Sequence, residues 1–220
     1  MKHMSKTIKY ILTPFLLVLA FLLARETWDI AQAILFPRKP MTMWGNLEMY
    51  QWVAVGIGAY LVLKGLLAKN LVWMETFSHE LTHTVVSLLT LRKMHDFRAG
   101  QGSGAIVTSG GGLSAVFVTL APYCLPIFTY FFLMLRPLIA VDGLWIYDIL
   151  LGVTIAFHAV CFISQTRNYQ PDINQYPLVF SYSYIACALL FNINTILVAF
   201  WSSKNVFTAW WYCISGLWNF

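Results

Sequence analysis

Long apolar runs dominate this chain, and short polar segments containing prolines and glycines separate them. A helical run of about 20 apolar residues can cross the roughly 30 Å hydrocarbon core of a bilayer. The pattern therefore predicts an all-α polytopic membrane protein with about six transmembrane helices. The six predicted spans cover about residues 9–24, 49–67, 71–91, 113–135, 144–164 and 178–201.

Two polar linkers interrupt this helical pattern. Residues 92–112 place β-branched residues beside glycines, which predicts a short Gly-rich β-like hairpin directly after the third span. Unpaired strand edges do not survive in lipid, so this segment must pair within the protein or line a wet cavity. Residues 165–177 form the second linker, which contains Pro171 and Pro177 and carries a lone carboxylate, Asp172.

Composition supports the membrane interpretation and narrows the classes of partner. The chain has 220 residues, of which 59% are hydrophobic and 10% charged, whereas a soluble domain carries about 25% charged residues. The net charge is +5, but the basic residues lie at the ends of apolar runs, where they anchor helices at lipid headgroups. We therefore predict a single multi-pass domain over residues 1–220 in the cell membrane, with the bilayer as a partner and no nucleic acid.

Two asparagines in the sixth span and the four cysteines complete this picture. Asn192 and Asn194 lie within an apolar run, and interhelical hydrogen bonding is their predicted role. None of the cysteines forms a Cys-x-x-Cys pair, so neither a disulfide framework nor a cysteine-based zinc site is expected.

The sequence His79-Glu80-Leu81-Thr82-His83 lies inside the third apolar run. Two histidines four residues apart share one helix face, so both can bind the same metal ion. The glutamate between them is then placed to act as general base on a water activated by the metal. Ionisable groups at membrane depth are energetically expensive and usually functional. The motif therefore predicts a catalytic Zn²⁺ site with Glu80 as the catalytic residue.

A catalytic zinc site needs a third protein ligand, and several residues downstream of the motif could supply it. No glutamate follows Glu80, which excludes a distant glutamate ligand. Asp172 is favoured because its proline-punctuated linker could bring a carboxylate to membrane depth within the protein. The candidates are His95, Asp96, Asp142, Asp148, His158 and Asp172.

Two further residues could contact the metal ligands without binding the metal themselves. Glu75 lies one turn before His79 and could hydrogen-bond a ligand imidazole, although it could equally be an interfacial carboxylate near the helix start. His158 lies in the middle of the fifth span, where it is either a packing residue or a neighbour of the site.

These features together resemble the site-2 protease family of intramembrane zinc metalloproteases. The resemblance covers about residues 71–177: the motif helix, the Gly-rich segment 104–112, and an aspartate that follows a proline. Asp172 follows Pro171 directly and Ile173 stands where the family has glycine, which indicates a divergent, minimal member. No appended regulatory domain is expected.

The resemblance implies roles for individual residues. His79, His83 and Asp172 would be the zinc ligands, and Glu80 would be the general base. Asn168 would orient the substrate or stabilise the oxyanion. The resemblance also implies that three residues of the Gly-rich segment bind an unwound, membrane-embedded substrate as an added strand. These are Ala105, Ile106 and Val107.

Two other classes of function remain open from the sequence. A catalytically silent scaffold or regulator of the same fold has no physical need for the base Glu80, which this chain retains. A transporter of metal or small solutes is expected to carry more acidic groups within its spans than Glu75 and Glu80. Intramembrane proteolysis of a membrane-embedded or membrane-proximal protein is therefore the favoured prediction.

Overall fold

The computed structural model describes residues 5–35, 43–99, 104–109, 112–201 and 206–216, and most of these residues are α-helical. The helices are α1 (Lys6–Leu35), α2 (Met43–Leu66), α3 (Ala68–Leu89), α4 (Leu113–Leu120), α5 (Ile127–Leu135), α6 (Leu144–Gln165), α7 (Pro171–Asn174), α8 (Leu178–Trp201) and α9 (Val206–Gly216). The strands are β1 (Lys93–Ala99) and β2 (Gly104–Ser109). Short 3₁₀ turns cover Ala121–Tyr123, Arg136–Leu138 and Val141–Gly143.

Several helices are long and apolar enough to cross a membrane. Among the described residues, three helices qualify individually, and two helix pairs qualify when each pair is taken together across a sharp bend at a short break. The protein thus has three to five candidate spans, as a multi-pass membrane protein does, while the six predicted spans remain a prediction. The three single helices are Lys6–Ile34, Leu144–Gln165 and Leu178–Phe200; the bent pairs are Tyr50–Leu66 with Ala68–Leu89 and Leu113–Tyr123 with Ile127–Leu138.

The chain groups into two compact units, each assembled from three separate stretches of sequence. The first unit comprises Met1–Val18, Leu63–Leu125 and Val160–Ala188. The second comprises Leu19–Val62, Pro126–Ala159 and Leu189–Phe220. The single domain over residues 1–220 remains a prediction. The motif residues and Asp172 all belong to the first unit.

In the first unit, α3 ends in a Schellman motif that turns the chain towards β1. The backbone N–H of Arg92 donates to the carbonyl of Ser87 at 2.8 Å, and that of Leu91 donates to Leu88 at 3.0 Å. Leu91 has a φ of 54°, a left-handed conformation that costs a non-glycine residue about 1–2 kcal/mol. The two hydrogen bonds satisfy carbonyls that the helix end leaves open.

Strands β1 and β2 pair antiparallel directly after α3, and α3 packs against both. Lys93 lies opposite Ser109 and Ala99 opposite Gly104, with one irregularity in register between Met94 and Asp96. This pairing satisfies strand backbone groups within the protein, as a segment near lipid requires. The connecting residues 100–103, where a turn is predicted, lie outside the described residues.

In the second unit, both asparagines of α8 hydrogen-bond to neighbouring helices. The hydroxyl of Tyr130 on α5 donates to Asn192 Oδ1. Asn194 accepts from the Thr27 hydroxyl at 2.6 Å and donates to the carbonyl of Leu23 at 3.2 Å, both on α1. The prediction of interhelical hydrogen bonding is confirmed for both residues.

A close approach of α2 and α6, also within the second unit, depends on two glycines. A Cβ added at Gly56 would lie 2.0 Å from the carbonyl oxygen of Ile149, and one added at Gly152 would lie 2.2 Å from that of Val53. Small residues allow helix backbones to approach closely in membranes, where dispersion contacts favour association.

We expect Gly56→Ala to destabilise the protein by about 1–3 kcal/mol, because the added methyl group forces the two helix backbones apart. The measurement is thermal or denaturant unfolding in detergent. Gly58→Ala is the matched control on the same helix, since a Cβ at Gly58 meets no atom of the described residues within 4 Å. Equal unfolding midpoints for the two variants would contradict this packing.

Candidate metal centre

Helix α3 places His79 and His83 one turn apart on the same face, as their spacing requires. Their Nε2 atoms lie 3.2 Å apart, and the rings meet edge to face with centroids 4.9 Å apart. The histidine side chains are 13% and 10% exposed. Both imidazoles are therefore largely withdrawn from solvent and directed at a common point.

Asp172 completes this group from the linker between α6 and α8. Pro171 begins the short helix α7, a position that suits proline because its missing N–H would have no helical partner there. Asp172 Oδ2 lies 3.3 Å from Nε2 of His79 and 3.3 Å from Nε2 of His83. These three side chains form the group of potential metal ligands that the described part of the chain contains.

The spacing of the three ligand atoms suits zinc. Zinc lies about 2.0–2.1 Å from nitrogen and oxygen ligands, and tetrahedral geometry then separates neighbouring ligand atoms by about 3.3 Å. The observed edges of 3.2, 3.3 and 3.3 Å therefore match one face of a zinc tetrahedron. The fourth vertex is the one that a catalytic zinc site keeps for water or substrate.

A backbone carbonyl fixes the tautomer of His83. Its Nδ1 lies 2.7 Å from the carbonyl oxygen of Val118 on α4, and a carbonyl can only accept, so Nδ1 carries the hydrogen. This carbonyl is free because its helical partner would be the backbone N–H of residue 122, and Pro122 has none. The proline thereby leaves Nε2 of His83 with its lone pair towards the site.

A side-chain amide contacts His79 at Nδ1, the ring nitrogen that the Val118 carbonyl contacts in His83. Gln165, the last residue of α6, places Oε1 3.1 Å from Nδ1 of His79. Its Nε2 donates to the backbone carbonyl of Glu75 at 3.3 Å. Gln165 is a contact that the sequence prediction missed, although it is the first polar residue of the linker that also carries Asp172.

The Glu75 carboxylate pairs with a lysine and not with a ligand imidazole, the contact that the sequence allowed. It forms an ion pair with Lys64 near the end of α2, and both belong to the first unit. A buried carboxylate needs a cationic partner, and Lys64 supplies a full positive charge where an imidazole N–H would supply a partial one. Glu75 contributes its backbone carbonyl to the site instead.

The charges at the centre call for a cation. With Nδ1 of each histidine bound to an acceptor, two Nε2 lone pairs and a carboxylate converge on one point. This arrangement is repulsive unless a proton or a metal ion lies among the three atoms.

Glu80 lies beside the three candidate ligands. Its residue is 6% exposed, and its carboxylate interacts electrostatically with the two histidines and with Asp172. Successive helix residues are rotated by about 100°, so Glu80 lies next to the ligand face of α3. It is therefore near the centre without belonging to the ligand triangle.

Tyr123 is a second contact that the sequence prediction missed. Its hydroxyl donates to Asp172 Oδ2 at 3.3 Å, and its ring meets that of His79 edge to face with centroids 5.3 Å apart. The side chain is fully buried. A tyrosine in an apolar span is common, so only the folded structure distinguishes this one.

The structure places the other predicted ligands elsewhere or leaves them undescribed. Asp148 is buried in the second unit and pairs with Arg136 at 3.5 Å, and Asp142 is exposed. His158 also lies in the second unit, where its buried Nε2 has no hydrogen-bond partner among the described residues. His95 and Asp96 lie on β1, and their side chains fall outside the described part of the chain.

The predicted substrate-binding residues lie in two places. Asn168 is exposed, and its backbone carbonyl accepts from the Asn174 side chain at 2.6 Å. Ala105, Ile106 and Val107 lie on β2, opposite β1 residues 96–98. Their side chains are outside the described part, so their role stays a prediction.

No family model, no curated protein and no solved structure matches this chain. The resemblance to the site-2 protease family therefore stays a prediction from the sequence features of residues 71–177. Arguments about function accordingly start from the geometry around His79, His83 and Asp172.

Proposed function

We propose that this protein is an intramembrane zinc metalloprotease that resembles the site-2 protease family. One observation carries the proposal: three ligand atoms from His79, His83 and Asp172 form a triangle of zinc dimensions beside the buried Glu80. The two histidines come from α3, which contributes to a bent helix pair apolar enough to span a membrane. A hydrolytic site of this kind would act on membrane-embedded or membrane-proximal proteins.

Zinc held by these three side chains would supply Lewis acidity, which polarises a peptide carbonyl and makes a water molecule acidic near neutral pH. The chain's own residues keep the ligands in place. Val118 and Gln165 hold the Nδ1 sides of the two imidazoles, and Tyr123 holds the aspartate. Outer contacts of this type typically orient ligands and raise their basicity.

Glu80 would move the proton that hydrolysis requires. Its carboxylate accepts a proton from the attacking water, whose oxygen forms the new bond to the peptide carbonyl carbon. The C–N bond then breaks, and Glu80 returns the proton to the leaving amine nitrogen. The carboxylate is regenerated, so one water molecule is consumed for each peptide bond.

The substrate would have to lose helical structure locally before cleavage, since helix hydrogen bonds shield its carbonyls. β2 packs beside the motif helix, so an extended peptide paired with Ala105–Val107 would lie next to α3. Asn168, four residues before Asp172, would orient the peptide or stabilise the oxyanion. Proline or charge substitutions in this part of β2 are therefore expected to reduce cleavage.

The proposal is tested on membranes that contain the full chain, incubated with zinc or with a zinc chelator. We expect new peptide termini within apolar segments of membrane proteins in the zinc sample, and their loss after chelation, because the three ligands alone cannot activate water. Mass spectrometry of peptide termini makes the measurement. Membranes without the protein serve as the control, and identical termini in all three samples would refute proteolysis.

A further inference from the structure

The ring of His79 is contacted on both nitrogens by residues from one stretch of chain. Gln165 Oε1 lies 3.1 Å from Nδ1, and Asp172 Oδ2 lies 3.3 Å from Nε2. The two contacting residues belong to the end of α6 and to α7. The imidazole is thus held between an amide on one side and the aspartate on the other.

We infer that Gln165 is a positioning residue that fixes His79 in the tautomer and ring orientation in which Nε2 binds the metal. This inference rests on the proposed metal centre and adds a residue that its sequence motif does not contain. Gln165 acts through His79 and is not itself a ligand.

The orientation of the Gln165 amide follows from its second hydrogen bond. The backbone carbonyl of Glu75 can only accept, so the amide must present its NH₂ group there, at 3.3 Å. Its carbonyl oxygen then faces His79. An amide oxygen accepts from Nδ1–H, which leaves the lone pair on Nε2. The Glu75 contact therefore determines which atom of Gln165 the imidazole meets.

The anchor for this amide is part of the motif helix. In an α-helix the Glu75 carbonyl is the acceptor for the backbone N–H of His79. Gln165 therefore bridges one helical turn, from the carbonyl of Glu75 to the side chain of His79. The Lys64–Glu75 ion pair holds the same turn through the Glu75 side chain. Rotation of the His79 ring would break the amide contact at Nδ1.

His83 provides an internal comparison. Its Nδ1 is held by a backbone carbonyl, that of Val118, at 2.7 Å. Both histidines consequently have an acceptor at Nδ1 and present Nε2 to Asp172. A backbone acceptor cannot be removed by a side-chain substitution, whereas Gln165 can be changed without altering either ligand. Substitution of Gln165 therefore tests whether the acceptor at Nδ1 controls the tautomer of His79.

The test compares Gln165→Met with Gln165→Glu in the purified full chain. Methionine has similar length and lacks the oxygen acceptor, so we expect zinc affinity to fall about 10–100-fold. Glutamate retains an acceptor for Nδ1–H and loses only the donor to the Glu75 carbonyl, so its zinc affinity should fall by less than about tenfold. Gln175→Met is the matched control, because Gln175 is exposed.

Zinc affinity is measured by competition with a chromophoric chelator, and the ligand field by the visible absorption of the cobalt-substituted protein. A changed cobalt spectrum in Gln165→Met, with the metal-free unfolding midpoint unchanged, separates a positioning role from general destabilisation. Wild-type affinity in Gln165→Met, or equal losses in both Gln165 variants, would overturn the inference. Absence of zinc binding in wild type would instead refute the metal centre on which it rests.

Discussion

Purified Asp172→Asn is expected to bind zinc at least about 100-fold more weakly than wild type, since loss of an outer partner alone typically costs 10–100-fold. Asparagine preserves the size of the side chain but removes the negative charge that balances zinc between two neutral imidazoles. The measurements are zinc content and the rise in melting temperature on adding zinc, which reports binding to the folded state. Wild type should contain near-stoichiometric zinc.

Two companion variants make this result decisive. His79→Ala removes another proposed ligand and should lose zinc as Asp172→Asn does, whereas Asp142→Asn changes an exposed carboxylate and should leave zinc unaffected. Zinc that survives Asp172→Asn would move the third ligand to another residue. No zinc in any sample, even after metal is supplied, would refute the proposed zinc metalloprotease and favour a catalytically silent scaffold of the same fold.

Glu80→Gln is expected to lower peptide hydrolysis by about 10²–10⁴-fold while zinc content stays at the wild-type level. The amide has the size of the carboxylate but cannot accept the proton of the attacking water. Because Glu80 lies beside the ligand triangle and not in it, the variant keeps all three proposed metal ligands. Zinc content and initial cleavage rates are measured on the same preparations, with a substrate identified from the new termini.

A graded variant distinguishes proton transfer from a structural effect of Glu80. Glu80→Asp keeps a carboxylate on a shorter side chain, so a water-mediated proton transfer should retain more activity than in Glu80→Gln. Unchanged cleavage in Glu80→Gln would show that another group is the base. Loss of zinc in Glu80→Gln would instead place Glu80 among the ligands.

The candidate spans and the pairing of the two histidines could be predicted from the sequence because both depend on local helix geometry. Runs of consecutive apolar residues predict helices long enough to span a membrane, as α1, α6 and α8 are, although α1 continues to Leu35, beyond its predicted span of residues 9–24. The shared face of His79 and His83 follows from 3.6 residues per turn, whatever the rest of the chain does. The interhelical hydrogen bonds of Asn192 and Asn194 were predictable because a buried amide in an apolar helix needs a partner.

The sequence narrowed the candidates for a third ligand to six residues, and packing brings one of them to the histidines. Six residues were candidates, and Asp172 is separated from His83 by 89 positions, so no periodicity relates the two. Proline punctuation in the linker favoured Asp172, but only folding shows that its Oδ2 lies within 3.3 Å of both rings. Asp148, another of the six candidates, pairs with Arg136 instead.

The contacts around the ligands were decided by tertiary structure alone. Glu75 and His79 lie on one helix face, so the sequence allowed a hydrogen bond between them. In the structure the Glu75 carboxylate forms an ion pair with Lys64, and Gln165 contacts the His79 imidazole. Such choices depend on which partners compete in space, and sequence spacing along one helix cannot rank them. Local periodicity thus determined the spans and the histidine pair, whereas long-range packing selected Asp172, Gln165 and Tyr123.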